Sequence, residues 1–232
     1  MAKRNVGIVG DGATDRLVFL KLATIILSGG INQVELRRQN IRDAIDRYWK
    51  DASTKNEYFF PSKPAITLRN SIIRVLTGAF ADFQGEIGAF SNQDILLLNT
   101  DSERHLQMPD DYFKEWAFCV QKIITAGIEM FYHLKAREGY PCEYLPLILS
   151  ISAFPSTEIL IAAAKGINTI YGKKAGELKQ VLYGTTDLST LRDEEFEEKA
   201  LKYITPENIN SIFKKIPESR ILIQSLSIGK MG

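Results

Sequence analysis

Short apolar runs alternate along this chain with longer stretches of helical periodicity. Val6 to Gly10 is a brief apolar run closed by glycine, the pattern of a buried strand. Asp11-Gly12-Ala13-Thr14-Asp15 reads as a turn, with Thr14 or Asp15 placed to cap a helix. From Arg16 onward Leu17, Leu20, Leu22 and Ile25 drift along one face of that helix, which Gly29-Gly30 stops. Strand, tight turn and helix open a β-α unit. Val34 to Arg38 predicts a second strand, and Asn40 to Trp49 a helix with Ile41, Ala44, Ile45 and Tyr48 at helical spacing. Lys50 to Lys63, polar then aromatic and followed by Pro64, reads as an irregular loop, and Ala65 to Phe83 as a helix with Ile72, Val75, Leu76 and Ala79 on one face.

The second half repeats the alternation. Asp94 to Leu98 is the clearest strand and runs into Asn99-Thr100-Asp101-Ser102-Glu103. Asp110 to Arg137 predicts a long helix whose stripe is Trp116, Val120, Ile123, Ile124, Ile128 and Phe131. Leu145 to Ile151 predicts another strand, and Ser156 caps a helix through Ala164. After Gly166 every periodic segment is helical: Ala175 to Leu182, Asp193 to Tyr203, Pro206 to Ile216 and Glu218 to Leu226, with Pro206 and Pro217 at first-turn positions where proline fits. The expected architecture is therefore α/β, a mostly parallel sheet flanked by helices over 1–165. A helical C-terminal extension over 166–232 is expected to pack on the same domain.

Composition narrows the partners. A formal net charge of +1 gives no global attraction to nucleic acid or to an anionic membrane, so a local patch must supply any such contact. Cys119 and Cys142 stand far apart, as do His105 and His133, which argues against a structural zinc site built from short-range ligand pairs. The N-terminus lacks the apolar stretch of a signal peptide, and no run approaches the ~20 apolar residues of a membrane span. A cytoplasmic protein without membrane contact is expected.

Three strands end in carboxylate-bearing clusters: Asp11 and Asp15, then Asp101 and Glu103, then Glu158. In an open parallel sheet such ends share one edge, where ligands bind. Hard divalent cations favour oxygen donors of this kind and can bridge phosphate oxygens and activate water. The same residues also suit plain structural work. Asp15 and Asp101 fit helix caps, and Glu158 fits the favourable first turn of a helix.

Val9-Gly10-Asp11-Gly12-Ala13-Thr14-Asp15 resembles the opening motif of the Toprim superfamily, an apolar strand followed by Glu-Gly-x-Thr-Asp or Glu. Leu97-Leu98-Asn99-Thr100-Asp101-Ser102-Glu103 resembles its second motif, an apolar strand followed by Asp-x-Asp. Ser156-Thr157-Glu158-Ile159-Leu160-Ile161-Ala162 is similar to a third feature of small stand-alone Toprim-like proteins of bacteria and archaea. The resemblance spans roughly residues 4 to 165, in motif order. It implies Mg2+ (or Mn2+) held by Asn99, Asp101, Glu103 and Glu158, with Asp11 as general acid/base and Asp15 in support. The implied reaction is phosphodiester hydrolysis in DNA or RNA. Asp11 is one methylene shorter than the family's glutamate, and Asn99 brings no charge where the family has a carboxylate. The alternative is therefore a catalytically weak or inactive binding subunit. The family further implies an ATPase partner and defence against mobile DNA as a setting.

Other classes fit less well. Asp15 takes the third glycine position of a dinucleotide fingerprint, and no phosphate-loop or nucleophile-elbow motif is present. Basic pairs at Arg37-Arg38, Lys173-Lys174 and Lys214-Lys215 are candidate phosphate contacts or plain solvated charge. Lys173 and Lys174, with Tyr171 beside them, are the pair expected nearest the acidic edge. The long helix from Asp110 also suits a homodimer contact.

Overall fold

The computed structural model describes residues 3–10, 12–27, 30–36, 41–101, 113–153, 156–168 and 173–216. Four strands, β1 (Arg4–Val9), β2 (Ile31–Val34), β3 (Ile95–Asp101) and β4 (Leu147–Ala153), form one sheet in the order β2-β1-β3-β4. Every pairing is parallel. β1, β3 and β4 are near-continuous apolar runs because both faces are covered. On one face lie α1 (Ala13–Ile26), α5 (Glu158–Ala164), α6 (Ala175–Tyr183), α7 (Asp193–Lys199) and α8 (Pro206–Lys215). The other face carries α2 (Arg42–Lys55), α3 (Lys63–Ile87) and α4 (Phe113–Arg137).

The alternation of a strand sorts the cores. Val6, Ile8, Ile95, Leu97, Leu149 and Ile151 enter the first, while Val9, Leu96, Leu98 and Ile148 enter the second. The helical C-terminal segment shares the first core directly, through Leu178, Leu182, Tyr183, Phe196, Leu201, Ile204, Ile209, Ile212 and Ile216. Among the described residues no helix is long and apolar enough to cross a membrane.

Several boundaries differ from the sequence expectation. The second strand lies at Ile31–Val34, not Val34–Arg38. It is an edge strand, so Asn32 and Gln33 stay exposed and its apolar signal is weak. Asn32 Nδ2 donates to Asn5 Oδ1 at 2.8 Å across that edge. The segment read as loop from Lys50 continues α2 to Lys55, because Ala52 extends the buried face of Ile45, Tyr48 and Trp49. Asn56, with φ 53°, then stops the helix in the left-handed region. Asp193 to Tyr203 divides into α7 and a 3-10 turn at Leu201–Tyr203. The strand beginning at Ile95 extends through Asn99-Thr100-Asp101, which pair with Ile151, Ser152 and Ala153. The helix expected at Glu218 to Leu226 lies outside the described residues.

Candidate functional site

The order of the strands fixes where a site can form. The chain leaves β1 for β2 on one side, then returns across β1 to build β3 on the other. The carboxyl ends of β1 and β3 therefore flank the point where the winding reverses, the usual ligand crevice of an open parallel sheet. Period-two alternation places Asn99 and Asp101 on the face of Ile95 and Leu97, toward α1, α5 and α6. Gly10, just past β1, faces the same way: a Cβ there would meet Asn99 Oδ1 at 2.6 Å and Arg16 Cγ at 3.2 Å. Only glycine lets the Asn99 amide lie this close to the end of β1.

The acidic side chains come to this edge from three elements. Asp15 sits in the first turn of α1 and Glu158 begins α5; they are 8% and 3% exposed. Neither Thr14 nor Asp15 caps α1, since Gly12 is the N-cap. The Asp15 carboxylate folds back instead, its Oδ2 3.2 Å from where a Gly12 Cβ would stand. Ser156 does not cap α5 either; the N-cap is Thr157. Asp101 takes on that work from β3: its Oδ1 accepts from the Thr157 amide at 2.9 Å and from Thr157 Oγ1 at 3.0 Å. The residue read as a candidate local cap thus braces a helix 56 positions away.

The surroundings are dry and incompletely bonded. Asn99 is 1% exposed, and among the described residues neither its Nδ2 nor its Oδ1 has a hydrogen-bond partner. The Ser156 and Tyr183 hydroxyls are buried in the same condition. Natural interiors hold few such groups, and each calls for an explanation. Tyr183, at the end of α6, reports on the carboxylates: burial pushes its hydroxyl far up, and Glu158, Asp15 and Asp101 push it further. All three acids therefore act on one buried phenol. Hard oxygen donors of this kind suit a divalent cation. Even so, among the described residues no three His, Cys, Asp or Glu side chains form a ready metal-holding group.

Not every expected residue reaches this edge. Asp11, Glu103, His105, Tyr171 and the Arg37-Arg38 pair lie outside the described residues. Lys173 and Lys174 precede α6, a helix length of roughly 13 Å from its Tyr183 end. Lys174 is exposed, and its amide donates to Glu177 Oε2 at 2.9 Å. Cys119 is buried on α4, and His133 is exposed. Sequence reasoning missed Gly10, Thr157 and Tyr183 as parts of this edge. The first two adjoin expected residues, whereas Tyr183 reads in sequence as one more aromatic at a helix end. No family model matches the chain, and no curated protein or solved structure matches it.

Proposed function

We propose that the carboxyl edge of this sheet is a Toprim-like site that uses Mg2+ or Mn2+ to hydrolyse phosphodiester bonds in nucleic acid. The observation that carries the reading is the buried Asn99 amide. Among the described residues neither of its polar atoms is hydrogen-bonded, and it stands at the strand ends where Asp15, Asp101 and Glu158 gather. Asp15, Asp101, Glu158 and the Asn99 carbonyl would hold the cation. When bound, the cation would activate water and neutralise charge on the phosphoryl oxygens. Thr157 grips one oxygen of Asp101, which fixes the orientation of that carboxylate. Asp11, by resemblance, is the general acid/base, and Lys173 and Lys174 would touch the phosphate backbone away from the reacting group.

A second reading keeps the site and drops the cleavage: a binding subunit that works with an ATPase partner. The neutral Asn99 and the lack of a ready three-carboxylate group among the described residues favour it. One experiment separates the outcomes. Thermal unfolding of wild type and Glu158→Gln is followed in EDTA, MgCl2 and MnCl2, each with and without a short oligonucleotide. Metal should raise the wild-type midpoint and leave Glu158→Gln unmoved. A wild type that ignores both metals, even with the oligonucleotide present, overturns the site. Binding without cleavage of the oligonucleotide selects the second reading.

A further inference from the structure

We propose that Arg16, in the first turn of α1, docks a backbone phosphate of the nucleic acid at this edge, and that Glu35 stands in for that phosphate until it arrives. The inference rests on the metal-site reading and gives that site a phosphate-binding group from outside the carboxylate set. Packing fixes the base of the side chain. A Cβ at Gly10 would meet Arg16 Cγ at 3.2 Å and Asn99 Oδ1 at 2.6 Å, so the arginine stem and the Asn99 amide press on one point at the end of β1. The glycine that admits the amide therefore also lets the arginine cross the strand end.

The head of the side chain is held loosely. Arg16 Nη2 stands 3.7 Å from Glu35 Oε2, an ion-pair distance too long for a hydrogen bond. Glu35 follows β2, its side chain is 78% exposed, and its other oxygen accepts from Gln33 Nε2 at 3.1 Å. Exposed pairs of this kind contribute little stability, so a better-matched anion displaces the carboxylate easily. The Arg16 side chain is 29% exposed, open enough to be reached and covered enough to be aimed. A planar guanidinium can meet two phosphate oxygens at once, a capacity that one carboxylate oxygen at this distance leaves unused. Direction narrows the ligand. From the end of β1, Arg16 reaches toward the end of β2, away from β3 and its Asp101. A phosphate docked there is a neighbour of the one at the cation, so the ligand is a chain carrying successive phosphates and not a single phosphate ester.

The test uses a short phosphorothioate oligonucleotide, which resists cleavage, and full-length wild type, Arg16→Gln and Glu35→Gln. Glutamine keeps the stem through Cγ and removes only the charged head. Affinity is measured in MnCl2 over a range of KCl concentrations and again in EDTA, with thermal unfolding in both. Arg16→Gln should respond to Mn2+ as wild type does. Its oligonucleotide affinity should fall about tenfold or more, the loss of a charged hydrogen-bonded contact. The slope of log affinity against log salt should shrink by about one, because one phosphate contact is gone. Glu35→Gln should bind about two- to fivefold tighter, since the competing carboxylate is neutral. Unchanged affinity and salt slope in Arg16→Gln overturn the assignment and leave the metal site standing. A lower midpoint in EDTA, with metal and oligonucleotide binding weakened together, shows a packing role and also overturns it. Affinity unchanged or reduced in Glu35→Gln overturns the role given to Glu35. A wild type whose midpoint and oligonucleotide affinity are the same in EDTA and MnCl2 removes the metal reading and this inference with it.

Discussion

The proposed metal site turns on one side chain, Asn99. Its amide lies against the end of β1 because residue 10 has no side chain, and burial leaves both amide atoms without partners among the described residues. Asn99→Asp adds a carboxylate to an edge that already holds Asp15, Asp101 and Glu158. In EDTA the variant should lose about 2 kcal/mol or more, since like charges in a dry site oppose one another. In MnCl2 it should recover to the wild-type level or beyond, because the added oxygen is charged. Equal destabilisation with and without metal, in parallel denaturant titrations, would remove the cation from the account. Gly10→Ala tests the same contact from the strand side. Its methyl would stand 2.6 Å from Asn99 Oδ1, so the amide must move, at about 1–3 kcal/mol and with weaker metal binding. A variant with unaltered unfolding and metal titration would show that the amide position is unimportant.

At the scale of elements, β3 and β4 do the placing. Their register sets Asp101 beside Ala153, so the chain leaving β4 brings Thr157 to the Asp101 carboxylate. The sequence marks both strands by their apolar runs, but it cannot show that Asn99-Thr100-Asp101 remains in the sheet. Polar residues continue a strand when ladder bonds and a covering helix layer are present, and both are tertiary facts. The outer edge of β4 is tied down by α4. The Ile148 amide donates to the Tyr132 hydroxyl at 2.7 Å, and that hydroxyl donates to the Pro146 carbonyl at 2.8 Å. Burial pushes Tyr132 up from 10.0 to about 12, against the pull of the Ile148 amide. A folded-state value above the unfolded one stabilises below pH 10.0, and that stability is lost as pH rises toward about 12. The wild type should therefore lose stability faster than Tyr132→Phe across that window, while the variant is the weaker protein at neutral pH. Parallel alkaline unfolding curves for the two proteins would contradict this.

The described residues form two helical layers on one parallel sheet, and the C-terminal helices among them are half of one layer. Leu178, Leu182, Phe196, Ile204, Ile209 and Ile212 fill the same core as Val6, Ile8 and α1. Ser211 Oγ donates to the Ala163 carbonyl at 2.9 Å, which ties α8 to α5. A chain ended at Lys165 should therefore lose cooperative unfolding and bind an apolar dye, because half of one helical layer is gone and the core it covered is exposed. Cooperative unfolding of that fragment would make the helical region a separable addition.

Local pattern alone determined that this chain is α/β, that its strands are buried and parallel in character, and that carboxylates cluster after three of them. Those features come from period and composition, which act over a few residues. The tertiary structure decided the rest. Strand order placed the ends of β1 and β3 at the reversal of winding, and register brought Asp101 to Thr157. Packing carried Tyr183, far past Asp101 in the chain, into the field of the same acids. Such contacts join residues distant in sequence, so no local periodicity records them; they arise when two helical layers close on the sheet.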